Sequence, residues 1–344
     1  MQGLPNSNQP IEAGIRVSNL QDLSAPSIAR PSIDRRAIPG EAVESRWLAP
    51  DGHAIRRIDW LPSGSCRGSL LFLPGRGDAY EKYLETLDHW HRRGWRVTAA
   101  DWRGQAGSGR LGPDELTGHV GDFAVWMEDI DALWRDWQQN TLAPHAIIGH
   151  SMGGHLVLRA LAEHRIGADA AVLIAPMLGL PGYGVPASLL HAAARIMASI
   201  GDPRRPAWKW SEKPRAMPAD RILLLTNDAE RYADEGWWRE SRPEIAMGPG
   251  SWGWVERAYA SMRGLAQRGV LEQVVQPVLL LAADQDRLVD IGAIERAAER
   301  LPRGELVRFG GGARHELLRE TDAIRDRALA AIDEFLGRAA PSSG

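Results

Sequence analysis

The chain has 344 residues, of which 44% are hydrophobic and 25% are charged, a composition typical of a globular protein with a large core. Its formal net charge is only -3, and acidic and basic residues are interspersed, which argues against nucleic acid as a partner. The single cysteine, Cys66, cannot form an internal disulfide, and no His or Cys cluster has metal-ligand spacing. These features predict a cytoplasmic protein without a metal site.

Residues 1–40 mix Ser, Asn and Pro with isolated apolar residues and contain no basic segment followed by an apolar one. We therefore predict a poorly ordered N-terminal tail and no signal peptide. The longest apolar runs, at 70–73 and 278–283, are far shorter than the ~20 residues of a membrane span. We expect no integral membrane segment, while peripheral contact with lipid and the oligomeric state stay open.

From about residue 41, short apolar runs alternate with longer amphipathic stretches, which predicts an α/β fold with a mostly parallel eight-stranded sheet and helices on both faces. Because Asp51-Gly52 separates the first two strands, they should form a hairpin. The predicted strands are 45–48, 54–60, 69–73, 96–100, 146–148, 170–174, 278–282 and 305–309. The predicted helices are 80–93, 123–139, 152–164, 291–301 and 323–336.

Residues 177–254 are rich in Pro, Gly and Trp and interrupt this alternation. They predict a cap subdomain inserted into a core formed by residues 41–176 and 255–340. Within the insertion, two weak helical patterns occur, at 188–198 and around 228–240. The tryptophans of this segment could line a pocket or pack a small core of their own, and the sequence does not decide between the two.

A serine between small residues follows the fifth predicted strand, where residues 149–154 read GHSMGG and a helical pattern begins. Small residues two positions before and after the serine permit the sharp strand-to-helix turn that exposes a nucleophile in a strained conformation. At the start of the helix, the Met152 N–H has no intrahelical partner and can donate to an oxyanion. We predict Ser151 as nucleophile and Met152 as half of an oxyanion hole.

A serine hydroxyl needs a general base, and the base needs a carboxylate that orients it. Enzymes with this turn carry the acid and then the histidine after the serine. Of ten histidines, His315 alone follows every candidate acid, in a glycine-rich loop after the last predicted strand. Three carboxylates follow the preceding strand: Asp286 is preferred as the acid, Asp284 reads as a turn residue, and Asp290 reads as a helix cap. Two further histidines flank the serine and are predicted to be structural: His150 and His155.

The second oxyanion donor should come from the loop after the third strand, where residues 73–78 read LPGRGD. Glycines let the backbone approach an acyl group, so the Arg76 N–H is the predicted donor. A simple turn without a catalytic role is the alternative.

Several segments resemble motifs of the serine aminopeptidase and monoglyceride lipase branch of the α/β-hydrolases, and most closely its bacterial lysophospholipase members. They are the oxyanion loop and following helix at 73–76 and 80–83, the loop at 101–111 with 118–120 and Phe123, the acid motif at 286–290, the histidine motif at 312–316, and weaker matches at 225–232, 248–250 and Trp254. The resemblance spans roughly 41–336, implies the α/β-hydrolase fold, and supports Asp286 over Asp284. Two positions depart from it: Ala106 stands where a glycine is usual, and Pro74 stands where many lipases have histidine, although the lysophospholipase-like members also show Pro-Gly-Arg.

The resemblance implies a serine hydrolase that cleaves the ester of a lipid-like monoester, a lysophospholipid or a monoacylglycerol, without a cofactor. A serine aminopeptidase or iminopeptidase with the same triad is the first alternative, and a non-catalytic binding protein on this fold is the second. A peptidase would need a carboxylate for the substrate ammonium, and the insertion offers four: Glu230, Asp234, Glu235 and Glu244.

Overall fold

The computed structural model describes residues 17–19, 33–182, 184–209 and 218–342, with the backbone alone at 17–19. These residues form one nine-stranded sheet in the order β1-β9-β8-β7-β6-β4-β5-β3-β2. Strand β3 is antiparallel to both β2 and β5, and the other pairings are parallel. The strands are β1 Val17–Asn19, β2 Ala42–Leu48, β3 Ala54–Trp60, β4 Gly68–Leu73, β5 Trp95–Ala100, β6 His145–His150, β7 Ala170–Ile174, β8 Val278–Ala283 and β9 Gly304–Phe309.

The eight strands predicted from sequence correspond to β2–β9, and β2 and β3 form the expected hairpin. The ninth strand, β1, lies within the predicted tail and pairs in parallel with β9 at the sheet edge. Three residues are too short for a pattern of alternation, so the sequence offered no signal for it. Residues 33–40 also depart from the predicted tail, because Ile33 and Ile38 pack against the core. The remainder of that prediction, at 1–16 and 20–32, lies outside the described residues.

Two apolar layers cover the sheet, because successive side chains of a strand point to opposite faces. In β4, Leu71 and Leu73 face the layer that contains the helices at 124–139, 152–162 and 291–300, whereas Leu70 and Phe72 face the helices at 84–92 and 322–339. All four leucine and phenylalanine side chains are buried. Parallel strands covered on both faces read as continuous apolar runs, as this one does. The helices are α1 Leu84–Arg92, α2 Ala124–Gln139, α3 Met152–Ala162, α4 Ala187–Ser199, α5 Ile222–Leu225, α6 Ala229–Ser241, α7 Trp252–Leu265, α8 Ile291–Arg300 and α9 Asp322–Ala339.

The five helices predicted for the core are present, with one difference at the first. Residues predicted as one helix at 80–93 begin as a 3₁₀ turn, Tyr80–Tyr83, and continue as α1. Tyr80 and Tyr83 are both buried, so tertiary packing holds this tighter first turn. In α9 the predicted apolar face is buried against the sheet as expected; its residues are Leu329, Ile332, Phe335 and Leu336.

The chain between β7 and β8 contains α4–α7 and no strand among its described residues. The predicted boundary of the insertion at 254 falls inside α7, which begins at Trp252. The two weak helical patterns correspond to α4 and α6. No helix in the described ranges combines the length and the apolar character needed to cross a membrane.

Candidate active site

Ser151 occupies the turn between β6 and α3 with φ 53° and ψ -116°, a backbone conformation that is unfavourable for a residue with a side chain. The surrounding glycines are needed because the chain approaches itself closely. A β-carbon at Gly149 would lie 2.7 Å from the Gly153 backbone, and one at Gly153 would lie 2.4 Å from the carbonyl oxygen of Leu73. The glycines therefore let the turn form and press it against the end of β4.

Three side chains that are far apart in the sequence meet at the carboxyl edge of the sheet. Ser151 Oγ lies 2.9 Å from His315 Nε2, and His315 Nδ1 lies 2.7 Å from Asp286 Oδ2. An ionised carboxylate can only accept, so Nδ1 carries the ring proton and Nε2 is free to accept the serine proton. The His315 and Asp286 side chains are 4% and 2% exposed, which shields this proton path from solvent.

The three candidate carboxylates after β8 have separate environments. Asp286 faces His315, and its other oxygen, Oδ1, accepts the N–H groups of Leu288 and Val289 at 2.8 and 3.1 Å. Asp284 points away and pairs with Arg308 at 3.0 Å on the surface. Asp290 caps α8, as predicted, by accepting the Gly292 N–H at 2.9 Å.

The loop after β4 lies against the nucleophile, since a β-carbon at Gly75 would be 3.1 Å from Ser151 Cβ. The amides on either side of Arg76 are engaged: the Gly75 N–H donates to Asp78 at 3.2 Å and the Gly77 N–H donates to Gln105 at 2.8 Å. Within the described part of the chain, the Arg76 N–H has no acceptor. Together with the Met152 N–H at the start of α3, it can stabilise an oxyanion.

A buried ionic cluster beneath this loop was not anticipated from sequence. Asp78 Oδ2 accepts from Tyr83 Oη at 2.8 Å and lies 3.1 Å from His150 Nδ1, and its other oxygen accepts from Lys82. Lys82 also contacts Glu316, which follows the histidine, at 2.6 Å. Although burial raises the pKa of Asp78, the Lys82 ammonium and His150 hold that pKa well below its usual value.

The cluster joins the oxyanion loop, the serine turn and the histidine loop, so it positions all three. His150 connects the last two, with its Nε2 3.4 Å from the His315 carbonyl oxygen and its ring centre 4.9 Å from that of His315. This agrees with the structural role predicted for His150. The sequence signal was the four-residue spacing of Asp78 and Lys82, but it could not reveal Glu316 or His150 as partners.

We expect Asp78→Ala to lower the free energy of unfolding by about 3 kcal/mol or more, because it deprives a buried ammonium of a carboxylate. Urea denaturation would measure this. Asp131→Ala is the matched control, since Asp131 forms an exposed i,i+4 pair with Arg135, and its loss should change the free energy by no more than about 0.5 kcal/mol. Equal small effects of the two substitutions would contradict a positioning role for the cluster.

Opposing effects set the pKa of His315. Burial lowers its pKa, but the charge and hydrogen bond of Asp286, with the charges of Glu316 and Asp78, outweigh burial and leave the pKa above its usual 6.5. Conversely, burial raises the pKa of Asp286, while His315 and two backbone N–H groups lower it overall. At neutral pH, the pair therefore favours an ionised Asp286 beside an imidazole that readily holds a proton.

This tuning predicts the pH dependence of catalysis. A general base acts as neutral imidazole, so kcat/KM for a p-nitrophenyl ester should fall as the pH drops below an apparent pKa that lies above 6.5. Asp286→Asn removes the negative charge and should move this acid limb to lower pH. A wild-type limb below 6.5 would contradict the assignment of His315 as the base.

A cavity of about 910 Å³ opens above the serine, between the sheet edge and the insertion. Ser151, His315 and Arg76 lie in its wall, with apolar side chains from the insertion. These apolar residues are Met177, Leu180, Leu223, Leu224 and Leu225, and the part of α7 beyond the insertion adds Val255 and Tyr259. The cavity thus combines a hydroxyl–imidazole pair with space for an apolar group.

Three tryptophans of the insertion line the cavity, and a fourth packs in the main core of the protein rather than in a core of the insertion's own. Trp208, Trp252 and Trp254 line the cavity. Trp238 is instead buried, packs edge-on against Trp237, and donates its indole N–H to the Arg35 carbonyl oxygen at 2.9 Å. The sixth tryptophan, Trp210, lies outside the described residues.

Comparison with known families identifies the chain. The sequence profile of the family described as "Serine aminopeptidase, S33" matches residues 64–322, well over half of the chain. The chain belongs to this family. The match includes all the predicted site residues, from the oxyanion loop to the histidine motif.

Curated relatives of this S33 family member are named for lipid hydrolysis. The chain is 33% identical over 291 residues to lysophospholipase L2 of Escherichia coli K12, covering 80% of this chain and 82% of that protein. It is 25% identical over 283 residues to the probable lysophospholipase L2 of Haemophilus influenzae, covering 80% of this chain and 85% of that protein. The resemblance stated from the sequence motifs is confirmed.

Among solved structures, a soluble variant of monoglyceride lipase from Saccharomyces cerevisiae, in complex with a substrate analogue, is similar with a TM-score of 0.69. The structural match covers 90% of this chain and 100% of the yeast chain, at 19% sequence identity. At this identity the likeness concerns the fold. The S33 chain has the α/β-hydrolase fold, as predicted.

Proposed function

We propose that this chain is a serine hydrolase that cleaves the carboxylic ester of a lipid-like monoester, such as a lysophospholipid or a monoacylglycerol. The observation that carries the proposal is the 2.9 Å contact between Ser151 Oγ and His315 Nε2 at an apolar-lined cavity. The curated relatives named lysophospholipase L2 support the choice of substrate class.

In the proposed mechanism, Ser151 Oγ attacks the ester carbonyl while His315 Nε2 takes its proton. Asp286 holds the imidazole in the required tautomer and stabilises the imidazolium. The N–H groups of Arg76 and Met152 donate to the oxyanion of the tetrahedral intermediate. His315 then returns the proton to the leaving alcohol, and a water molecule, activated in the same way, hydrolyses the acyl-enzyme. The reaction uses these groups and water, and needs no cofactor.

The insertion at 177–254 acts in this proposal as a cap whose apolar side chains hold the acyl chain. Each buried CH₂ group contributes about 0.8 kcal/mol, so a chain of several carbons would be bound with useful affinity. The cap would also exclude water from the acyl-enzyme until the alcohol has left.

A peptidase with the same triad is less well supported, because a substrate ammonium needs a free carboxylate in the pocket. Within the described residues, the cavity wall includes none of the four carboxylates considered from sequence, and its one exposed carboxylate is Asp220. Asp234 is bound by Arg35 and Arg36 at 2.6 and 2.7 Å, and Glu235 is bound by Arg221 at 2.8 Å. Glu230 is 89% exposed at its side chain, and Glu244 is also exposed.

A hydrolysis panel distinguishes the alternatives. The substrates are lysophosphatidylcholine, monoacylglycerol, short p-nitrophenyl esters and aminoacyl or prolyl anilides, each assayed with wild type and Ser151→Ala. Ester hydrolysis that requires Ser151 supports the proposal. Activity on anilides alone would overturn the lipid assignment, and no activity on any substrate would favour a non-catalytic binding protein.

We propose that this activity is cytoplasmic, in agreement with the single, half-buried Cys66. Access to lipid monoesters would then come through peripheral contact with a membrane surface or through substrate dissolved as monomers.

A further inference from the structure

The side chain of Arg76 lies in the wall of the same cavity as Ser151. Its Nη2 donates to the Gly248 carbonyl oxygen at 2.8 Å, and its guanidinium lies over the indole rings of Trp208 and Trp254, at 5.2 and 5.0 Å from their centres. Its Nε atom is buried and has no hydrogen-bond partner. The side chain is thus oriented by its neighbours while part of its donor capacity is unused.

No carboxylate among the described residues lies within ion-pair distance of Arg76. Two nearby arginines differ in this respect, because Arg221 and Arg239 both pair with Glu235, at 2.8 and 3.1 Å. Of the three described carboxylates in the cavity wall, Asp78 and Glu316 both contact Lys82, and the third, Asp220, is exposed and forms no ion pair with Arg76. Burial and the positive charges of Arg221 and Arg239 lower the pKa of Arg76 to about 9, so it is still a cation at neutral pH.

A half-buried guanidinium with no carboxylate partner among the described residues is unfavourable, and its position at an open cavity beside a nucleophile indicates an anionic ligand. A guanidinium presents a planar set of donors that matches phosphate and carboxylate oxygens. The two flanking indole rings hold the plane of the Arg76 guanidinium in a fixed orientation. Gly118 leaves room for it, since a β-carbon there would lie 2.9 Å from Arg76 Nη2.

The position of this cation suits the phosphate of a monoacyl phospholipid. The Arg76 N–H is the proposed oxyanion donor, so the guanidinium lies within one side-chain length of the reacting carbonyl. With bonds of about 1.5 Å, that length is roughly 6 Å, and the glycerol of a monoacyl phospholipid separates the ester carbonyl from the phosphorus by a similar distance, roughly 6–7 Å. A monoacylglycerol has only a hydroxyl at this place.

We propose that the Arg76 guanidinium binds the phosphate of a monoacyl glycerophospholipid and that this contact makes the enzyme prefer lysophospholipids to monoacylglycerols. The inference rests on the proposed ester-hydrolase function and narrows its substrate class. Arg76 then has two roles, its N–H serving the oxyanion and its side chain serving the headgroup.

The first test compares kcat/KM for a lysophosphatidylcholine and a monoacylglycerol with the same short acyl chain, used below micelle-forming concentrations. Arg76→Met keeps the backbone N–H and should reduce kcat/KM for the phospholipid by roughly 10- to 100-fold more than for the monoacylglycerol, mainly through KM. Arg76→Lys keeps the charge but not the planar set of donors, so its kcat/KM for the phospholipid should lie between the values of wild type and Arg76→Met. Equal losses on both substrates, or no loss on either, would overturn the proposal.

Arg96→Met is the matched control. Arg96 also donates to a backbone carbonyl oxygen, that of Asn140 at 2.9 Å, and also has a buried Nε without a partner. Arg96 lies at the start of β5, at the amino ends of the parallel strands, whereas the site lies at their carboxyl ends. This variant should leave the substrate preference unchanged, and a change of preference equal to that of Arg76→Met would count against a local phosphate contact.

The second test does not depend on lipid turnover. In wild type, sn-glycerol 3-phosphate should competitively inhibit hydrolysis of p-nitrophenyl butyrate, whereas glycerol should not, and Arg76→Met should raise the inhibition constant at least about tenfold. Butyrate as competitor distinguishes phosphate from carboxylate recognition: inhibition by butyrate without inhibition by glycerol 3-phosphate would overturn the proposal. If p-nitrophenyl butyrate is hydrolysed and inhibited as expected but no lipid ester is cleaved, the proposed function fails while the anion site stands.

Discussion

Replacing Ser151 by alanine should reduce ester hydrolysis by roughly 10⁵- to 10⁶-fold, because the hydroxyl that lies 2.9 Å from His315 Nε2 is the proposed nucleophile. Alanine is smaller and accepts the same backbone conformation, so the fold should be retained. The loss is measured as kcat on a p-nitrophenyl ester, and circular dichroism checks the fold. A fluorophosphonate probe should label wild type and not the variant.

Ser261→Ala is the matched control for this experiment. Ser261 Oγ also lies beside a buried histidine, 2.7 Å from His155 Nε2. Burial and the nearby charge of Arg159 lower the pKa of His155 to about 3, and no carboxylate bonds to its ring among the described residues. This pair lacks an orienting acid, so Ser261→Ala should keep both activity and labelling. Labelling that persists in Ser151→Ala would remove Ser151 from its role.

Replacing Asp286 by asparagine should lower kcat by about 10⁴-fold while leaving substrate binding little changed. The asparagine amide can donate to Nδ1 of His315, which places the ring proton on Nε2 and prevents that atom from accepting the serine proton. The measurement is kcat and KM on the same p-nitrophenyl ester.

Asp284→Asn is the comparison that the chain itself provides, two residues away on the same loop. Asp284 pairs with Arg308 through side chains that are 35% and 37% exposed, and an exposed pair of this kind stabilises by no more than about 1 kcal/mol. We expect less than about a twofold change in kcat. The reverse ranking of the two variants would show that the acid is Asp284.

Much of this architecture could be predicted because the relevant signals are local. A strand buried on both faces needs a continuous apolar run, so β4, β6, β7 and β8 were recognisable from a few residues each. The turn at Ser151 needs glycines at fixed spacing, because a side chain at Gly149 or Gly153 would collide with backbone. Chain order then restricted the histidine to one candidate.

Other features depend on which distant residues the fold brings together. Orientation within a single loop separates Asp286, which faces His315, from Asp284, which faces solvent. The same holds for Asp78, whose partner His150 lies 72 residues away at the end of β6. No local pattern encodes such contacts, because they depend on the relative placement of strands and loops.

The sequence by itself therefore determined the alternation of strands and helices and the serine turn, since each depends on residues that are close together in the chain. It also determined the order of the catalytic candidates, which is a property of the chain alone. The tertiary structure decided which acid contacts the histidine and which charges are neutralised in the interior. It also decided that Arg76 lies at the cavity without a carboxylate as ion-pair partner among the described residues. Coulomb energy and desolvation depend on distances through space, and those distances exist only once the sheet and its insertion have assembled.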